Sequence, residues 1–129
     1  MEAPLAARFT DRELDIMNVL WQHGPSTVAE VRAELDGDLA YTTVLTVLRV
    51  LEAKGHIGHE DEGRAHRYFA KVEEQAARRN ALSRLVDRAF GGSAELLLTQ
   101  LVEDRNLSDE EIKRLRALMQ RQLGKGKEP

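Results

Sequence analysis

The chain has 129 residues, 42% of them hydrophobic and 32% charged, with a formal net charge of -3 and no cysteine. Such a length holds one ordinary domain, or one small domain and an appendage that needs a partner to finish its core, and the composition excludes a disordered chain. The lack of cysteine rules out disulfides, thiolate metal sites and thiol nucleophiles.

No apolar run approaches the roughly 18 residues of a membrane span. No basic flank leads into an apolar export segment, so a cytoplasmic location is expected.

Residues 1–9 read as a flexible lead. Thr10 with Glu13 is a capping box that opens a first helix, with Leu14, Ile16, Met17, Leu20 and Trp21 as its apolar stripe and Gly24–Pro25 beyond His23 as its stop. Thr27 with Glu30 repeats the device for a shorter helix carrying Val28, Val31 and Leu35, which Asp36 to Asp38 break. The stretch YTTVLTVLRVLEAKG, residues 41–55, predicts a third helix over roughly 42–54, closed by Gly55. Ile57 and His59, the acidic turn EDEG, and RAHRYF then read as a hairpin, with Ala65, Arg67 and Phe69 alternating against His66 and Tyr68. Three short helices followed by a hairpin is the order of a winged helix-turn-helix.

Polar residues around 70–75 mark a hinge. Beyond it, Leu82, Leu85, Val86 and Ala89 share one face of a helix that ends at Gly91 and Gly92. Ser93 caps a short apolar helix, AELLLTQLVED. Ser108 with Glu111 opens another, bearing Ile112, Leu115, Leu118, Met119 and Leu123. The terminal GKGKEP has nothing to pack and is expected to be disordered.

The fold class is therefore mainly α with a small β hairpin. A winged-helix DNA-binding domain is placed at 10–70, a helical dimerisation domain at 71–123 and a disordered tail at 124–129. So thin a helical layer leaves apolar surface exposed in a monomer. Leu82, Leu85, Val86, Leu96, Leu97, Leu101, Ile112, Leu115, Leu118 and Met119 are the residues expected to complete a second copy's core.

Advancing 100° per residue divides the third helix. Val44, Val47, Leu48 and Leu51 fall within an arc of about 100°, the width of a core-facing stripe. Thr42, Thr46, Arg49 and Ala53 point away, flanked by Leu45 and Val50. Small side chains let a helix approach base edges, threonine offers a hydroxyl and a methyl, and arginine reaches a guanine edge or a phosphate. The amides near Thr42 and Thr43 suit a phosphate oxygen. For the helix alone, the plainer account is that Thr42 caps it and its outer side merely faces water. The preceding helices and the hairpin favour a reading surface. Lys54 either complements the helix dipole or touches phosphate. Arg64, His66 and Arg67 form a positive wing patch facing DNA, or else pair with Glu60, Asp61 or Glu62. Tyr41, Tyr68 and Phe69 are expected to pack, although the Tyr41 hydroxyl could reach a phosphate.

Residues 1–70 carry a charge of -5 and residues 71–129 one of +2. An acidic first half argues against non-specific coating of nucleic acid, and it is what a rival reading uses: a dimeric winged-helix adaptor that binds a protein and no specific DNA.

Enzymatic chemistry has no foothold. Ser26, Ser83, Ser93 and Ser108 lack base and orienter partners in any motif, and the glycines form no phosphate loop. His56, His59 and His66, with Glu60 or Asp61, could approach across the hairpin, but spacing in a flexible polar turn assigns no metal, and no cofactor is expected.

The pieces RFTDRELDIMNVLW, HGPSTVAEV, YTTVLTVLRVLEAKG, GRAHRYF, FGGS, LVED and LSDEEIKRLRAL together resemble the penicillinase-repressor (BlaI/MecI/CopY) family of winged-helix transcriptional regulators, from about Thr10 to Leu123. The resemblance implies a repressor acting as a homodimer on a dyad-symmetric operator in double-stranded DNA, one winged helix per half-site, controlling β-lactam resistance or a related stress response. It also implies a further partner, a membrane-bound sensor metalloprotease that cuts the dimerisation helices between asparagine and phenylalanine. The aligned bond here is Gln100–Leu101, and neither side chain matches. The family's copper branch uses cysteine pairs, which this chain lacks.

Overall fold

The computed structural model describes residues 8–126, with six helices and one hairpin among them: α1 Asp11–His23, α2 Val28–Glu34, α3 Tyr41–Ala53, β1 Ile57–Glu62, β2 Ala65–Ala70, α4 Glu74–Ala89, α5 Ala94–Arg105 and α6 Asp109–Gly126. Residues 1–7 of the lead expected at 1–9, and 127–129 of the tail expected at 124–129, lie outside the described residues. The helix starts follow the local signals. Thr10 and Glu13 exchange bonds at 3.1 and 2.9 Å, Thr27 and Glu30 at 3.2 and 3.0 Å, and Ser108 and Glu111 at 3.1 and 2.9 Å. Each pair satisfies two amides that a helix start would otherwise leave open.

Two compact units part between Ser83 and Arg84, inside α4. The first is built on Ile16, Met17, Leu20, Val31, Leu48 and Leu51, with Ile57 and Tyr68 brought in by the hairpin. Val19 also belongs to this core, whereas Leu14, placed in the stripe from sequence, is 36% exposed. Phe9, the last residue of the expected lead, packs edge-on against Trp21 and His56 and so belongs to the fold ahead of the capping residue. The Trp21 indole donates to the Val72 carbonyl at 2.9 Å, and Val72 and Ala77 are buried. The early part of α4 is thereby fastened to the first unit, beyond the hinge expected at 70–75.

The strands pair antiparallel from Ile57↔Ala70 to Glu62↔Ala65. Glu60, Asp61 and Glu62 are thus strand residues and not a turn. The connection shrinks to Gly63 and Arg64, with Gly63 at φ 62° in the left-handed region a two-residue hairpin requires. Ser26 exchanges backbone bonds with Tyr68 at 2.9 and 2.8 Å, pinning the α1–α2 connection to the wing.

In the second unit α5 begins at Ser93, whose hydroxyl accepts from the Leu96 amide at 3.1 Å. Helix α6 runs on through Gly124 and Lys125 to Gly126, further than expected, because lengthening an existing helix gains one backbone hydrogen bond for each residue fixed.

Glu13 is 4% exposed and accepts from the Lys54 ammonium at 2.8 Å. Burial pushes its carboxyl up, but Lys54 and the Thr10 amide outweigh that and hold it below the ordinary value. Burial, with Lys54 nearby, also lowers His56. Both groups bind protons less readily when folded, so each stabilises above its unfolded value and loses that contribution as pH falls through its folded value. The window opens near 6.5 for His56 and near 4.5 for Glu13. Chemical denaturation across this range is expected to show stability declining with acid. Lys54→Ala should cost about 1–2 kcal/mol at neutral pH, discounted because the lysine is half exposed. That difference should shrink once Glu13 is protonated; a difference constant down to pH 3 would contradict this account.

Candidate nucleic-acid interface

Helix α3 is two-faced as its periodicity requires. Val44, Leu48 and Leu51 are buried and Val47 is half-buried, while Thr42, Thr43, Thr46, Arg49 and Ala53 are exposed. Its N-cap is Ala40, which offers no side-chain acceptor. Thr42 lies inside the helix and caps nothing, which corrects the plainer reading of the threonines. The Thr46 hydroxyl donates to the Thr42 carbonyl at 2.8 Å, which fixes its rotamer and leaves an oxygen lone pair free to accept. Arg49 has no hydrogen bond or ion pair among the described residues. Tyr41 is 47% exposed at the helix start, so it does not pack as expected. Val50 is exposed as well, widening the apolar part of the outer face.

The wing does not gather Arg64, His66 and Arg67 into one patch. His66 and Arg67 are adjacent on a strand and project to opposite faces. Arg67 is half-buried and fully engaged: it donates to Glu62 at 2.8 and 3.0 Å, and to Glu30 and the Pro25 carbonyl at 3.0 Å each. The Glu62 and Glu30 carboxylates hold its guanidinium above the ordinary value. This is the pairing alternative, extended to a partner on α2. Lys54 is likewise turned to Glu13. Arg64 alone stands at the wing tip without a hydrogen bond or ion pair among the described residues.

His66 lies on the other face, its Nδ1 at 2.8 Å from Asp61 and its ring centroid 4.1 Å from that of His59. His59 Nδ1 meets Glu52 of α3 at 2.6 Å. His56, by contrast, packs on Phe9 and belongs to the core edge. Tyr68, 2% exposed, floors this face. Burial raises its hydroxyl, Glu52 and Tyr41 raise it further, and Arg49 lowers it. Helix α3 and the inner wing therefore share one electrostatic surface. The Glu52–His59 link was not foreseen from the sequence, since seven positions separating a helix from a strand carry no periodic signal.

In the second unit none of residues 84–125 is buried. Leu85, Leu96, Leu101, Leu118 and Met119 are exposed, and Leu82 at the end of the first unit is 52% exposed. Val86, Leu97, Ile112 and Leu115 are half-buried. An apolar groove runs between α5 and α6, lined by Leu98, Leu101, Leu115 and Leu118, with Arg114 and Arg121 at its edge. Gln100 and Leu101 sit mid-helix in α5, with Gln100 donating to Asp104 at 2.7 Å.

A helix-turn-helix buttressed by a hairpin, followed by helices without a finished core, defines a winged-helix protein. The penicillinase repressor family profile matches residues 9–121, and the chain belongs to that family. It is 28% identical to the penicillinase repressor of Bacillus licheniformis over 123 residues, 94% of this chain and 96% of the relative. It is 35% identical to the transcriptional regulator BlaI of Mycobacterium tuberculosis over 116 residues, 74% of this chain and 84% of the relative. The solution structure of the DNA binding domain of the repressor BlaI superposes with a TM-score of 0.50 at 32% identity, covering 55% of this chain and 89% of that one. The family is one of transcriptional repressors, not of enzymes. No described helix is long and apolar enough to cross a membrane.

Proposed function

We propose that the chain is a sequence-specific DNA-binding repressor, working in the cytoplasm as a homodimer on a dyad-symmetric operator and controlling β-lactam resistance or a related stress response. The observation that carries this is the outer face of α3: Thr42, Thr46 and Arg49, which has no hydrogen bond or ion pair among the described residues, lie outward from a helix whose inner face is buried. An uncapped helix start beside Tyr41 and Thr43 offers amides to a phosphate. Arg64 supplies a backbone contact from the wing tip and His66 one from its inner face. Lys54 and Arg67 hold the frame and serve DNA only through it. Residues 10–70 read the operator, and 71–123 join two copies through the apolar faces of α4, α5 and α6.

A sensor metalloprotease cutting at Gln100–Leu101 would sever α6 from the rest of the dimer surface. It would first have to unwind α5, because the bond lies mid-helix.

Capture of duplexes from a random library is expected to enrich an inverted repeat with half-site centres one helical turn apart, about 10 base pairs, or a multiple of it. Enrichment of no sequence at all would instead favour the protein-binding adaptor.

A further inference from the structure

We infer that His59, Asp61 and His66 form a binding site for a zinc-class divalent cation on the inner face of the wing. Sequence spacing assigned no metal here, because the residues between the histidines, Asp61 among them, read as a flexible polar turn. The strand register removes that objection: Asp61 pairs with His66 across the hairpin, and His59 lies one diagonal away, opposite Tyr68. A ligand atom from each of the three residues lies within 4.8 Å of the other two. His66 Nδ1 is 2.8 Å and His59 Nε2 is 3.8 Å from the same Asp61 oxygen; the ligand atoms of a tetrahedral zinc lie about 3.3 Å apart, so the first pair opens and the second closes by about half an ångström around an ion.

The outer shell is already in place. Glu52 holds His59 Nδ1 at 2.6 Å, which fixes the tautomer that presents a lone pair at Nε2. This carboxylate–histidine arrangement orients and strengthens an imidazole ligand. Two imidazoles and one carboxylate suit zinc, with copper(II) binding more tightly still, and disfavour magnesium and calcium, which take oxygen ligands. Three protein ligands at an exposed surface leave a fourth position for water. The bound ion ties β1 to β2 and, through Glu52, both strands to α3. The assignment shares His66 with the DNA-binding reading, and titration with zinc in the absence of DNA tests it apart from that reading.

The test is calorimetric titration of the chelator-treated full chain with zinc in a non-coordinating buffer, with thermal melts in parallel. One zinc per chain is expected, with a rise in melting temperature. His59→Ala, His66→Ala and Asp61→Asn should each weaken binding at least tenfold and abolish the rise. Glu52→Gln should weaken it by about 10- to 100-fold, the range for loss of an outer-shell partner. His23→Ala and His56→Ala should leave it unchanged. Asp61 is 77% exposed, so its substitution tests the site even if a histidine variant folds poorly. Absence of saturable binding at hundreds of micromolar zinc, or binding indifferent to His59→Ala, His66→Ala and Asp61→Asn, would overturn the assignment.

Discussion

Replacing Arg49 with alanine is expected to lower affinity for the captured duplex by roughly thirty- to twenty-five-thousandfold while leaving the proposed dimer intact. A side chain reading a base edge is worth about 1–3 kcal/mol per contact, and a two-fold dimer loses two such contacts. Arg49 is the residue for which this arithmetic applies without deduction. Its guanidinium is exposed on the outer face of α3 and spends no hydrogen bond or ion pair on the described residues. Arg67 provides the contrast, since it bonds Glu62, Glu30 and Pro25 at once, and freeing it for DNA would strip those partners. Arg67→Ala should therefore disturb the wing and its link to α2 before it disturbs any DNA contact. Electrophoretic mobility shifts at fixed salt, with sedimentation to confirm the dimer, measure the Arg49 effect. The salt must be stated, because backbone contacts make affinity steeply salt-dependent. Unchanged affinity and unchanged sequence preference in Arg49→Ala would show that α3 does not read the bases.

Leu118→Glu is expected to convert the proposed dimer to monomers at tens of micromolar and to remove high-affinity binding to the two-half-site duplex. Leu118 lines the α5–α6 groove and is 45% exposed in the single chain. A second copy covering it would bury an apolar side chain worth about 1.5–3 kcal/mol, and a carboxylate there adds a desolvation penalty on both sides of the two-fold. Because neighbouring Leu101 and Leu115 share the groove, the whole patch loses its match. Since the second unit has no buried residue among 84–125, the substitution has no monomer core to break there. Retained helicity by circular dichroism should accompany the loss of mass in sedimentation. Binding to an isolated half-site should persist, weakly, because α3 and the wing belong to the other unit. A Leu118→Glu chain that stays dimeric would move the interface elsewhere.

These two results test different layers of what the residues encode. The helix starts were legible because a capping box is a contact three residues long, and the four caps at Thr10, Thr27, Ser93 and Ser108 close as their spacing requires. The two faces of α3 were legible because helical periodicity needs no knowledge of what lies opposite. Periodicity failed where a backbone partner decided the register. The acidic stretch at 60–62 looked like a turn by composition, yet pairing with 65–67 makes it strand, because ladder hydrogen bonds outweigh weak local preference.

The sequence by itself determined the order of elements, the inner and outer sides of α3, and the unfinished apolar character of the C-terminal helices. Each depends on neighbours within a few residues or on a repeating pattern. Only the tertiary structure decided which charges are free. Lys54 is committed to Glu13 across 41 positions and Arg67 to Glu30 across 37, while Arg49 and Arg64 have no hydrogen bond or ion pair among the described residues. It also decided that His59, Asp61 and His66 converge while His56 turns to Phe9. The physical reason is common to all of these. A side chain's partner across the chain is set by how helices and strands pack, and residues equally charged in sequence become a half-buried ion pair, a structural clamp or an open hand only after that packing is complete.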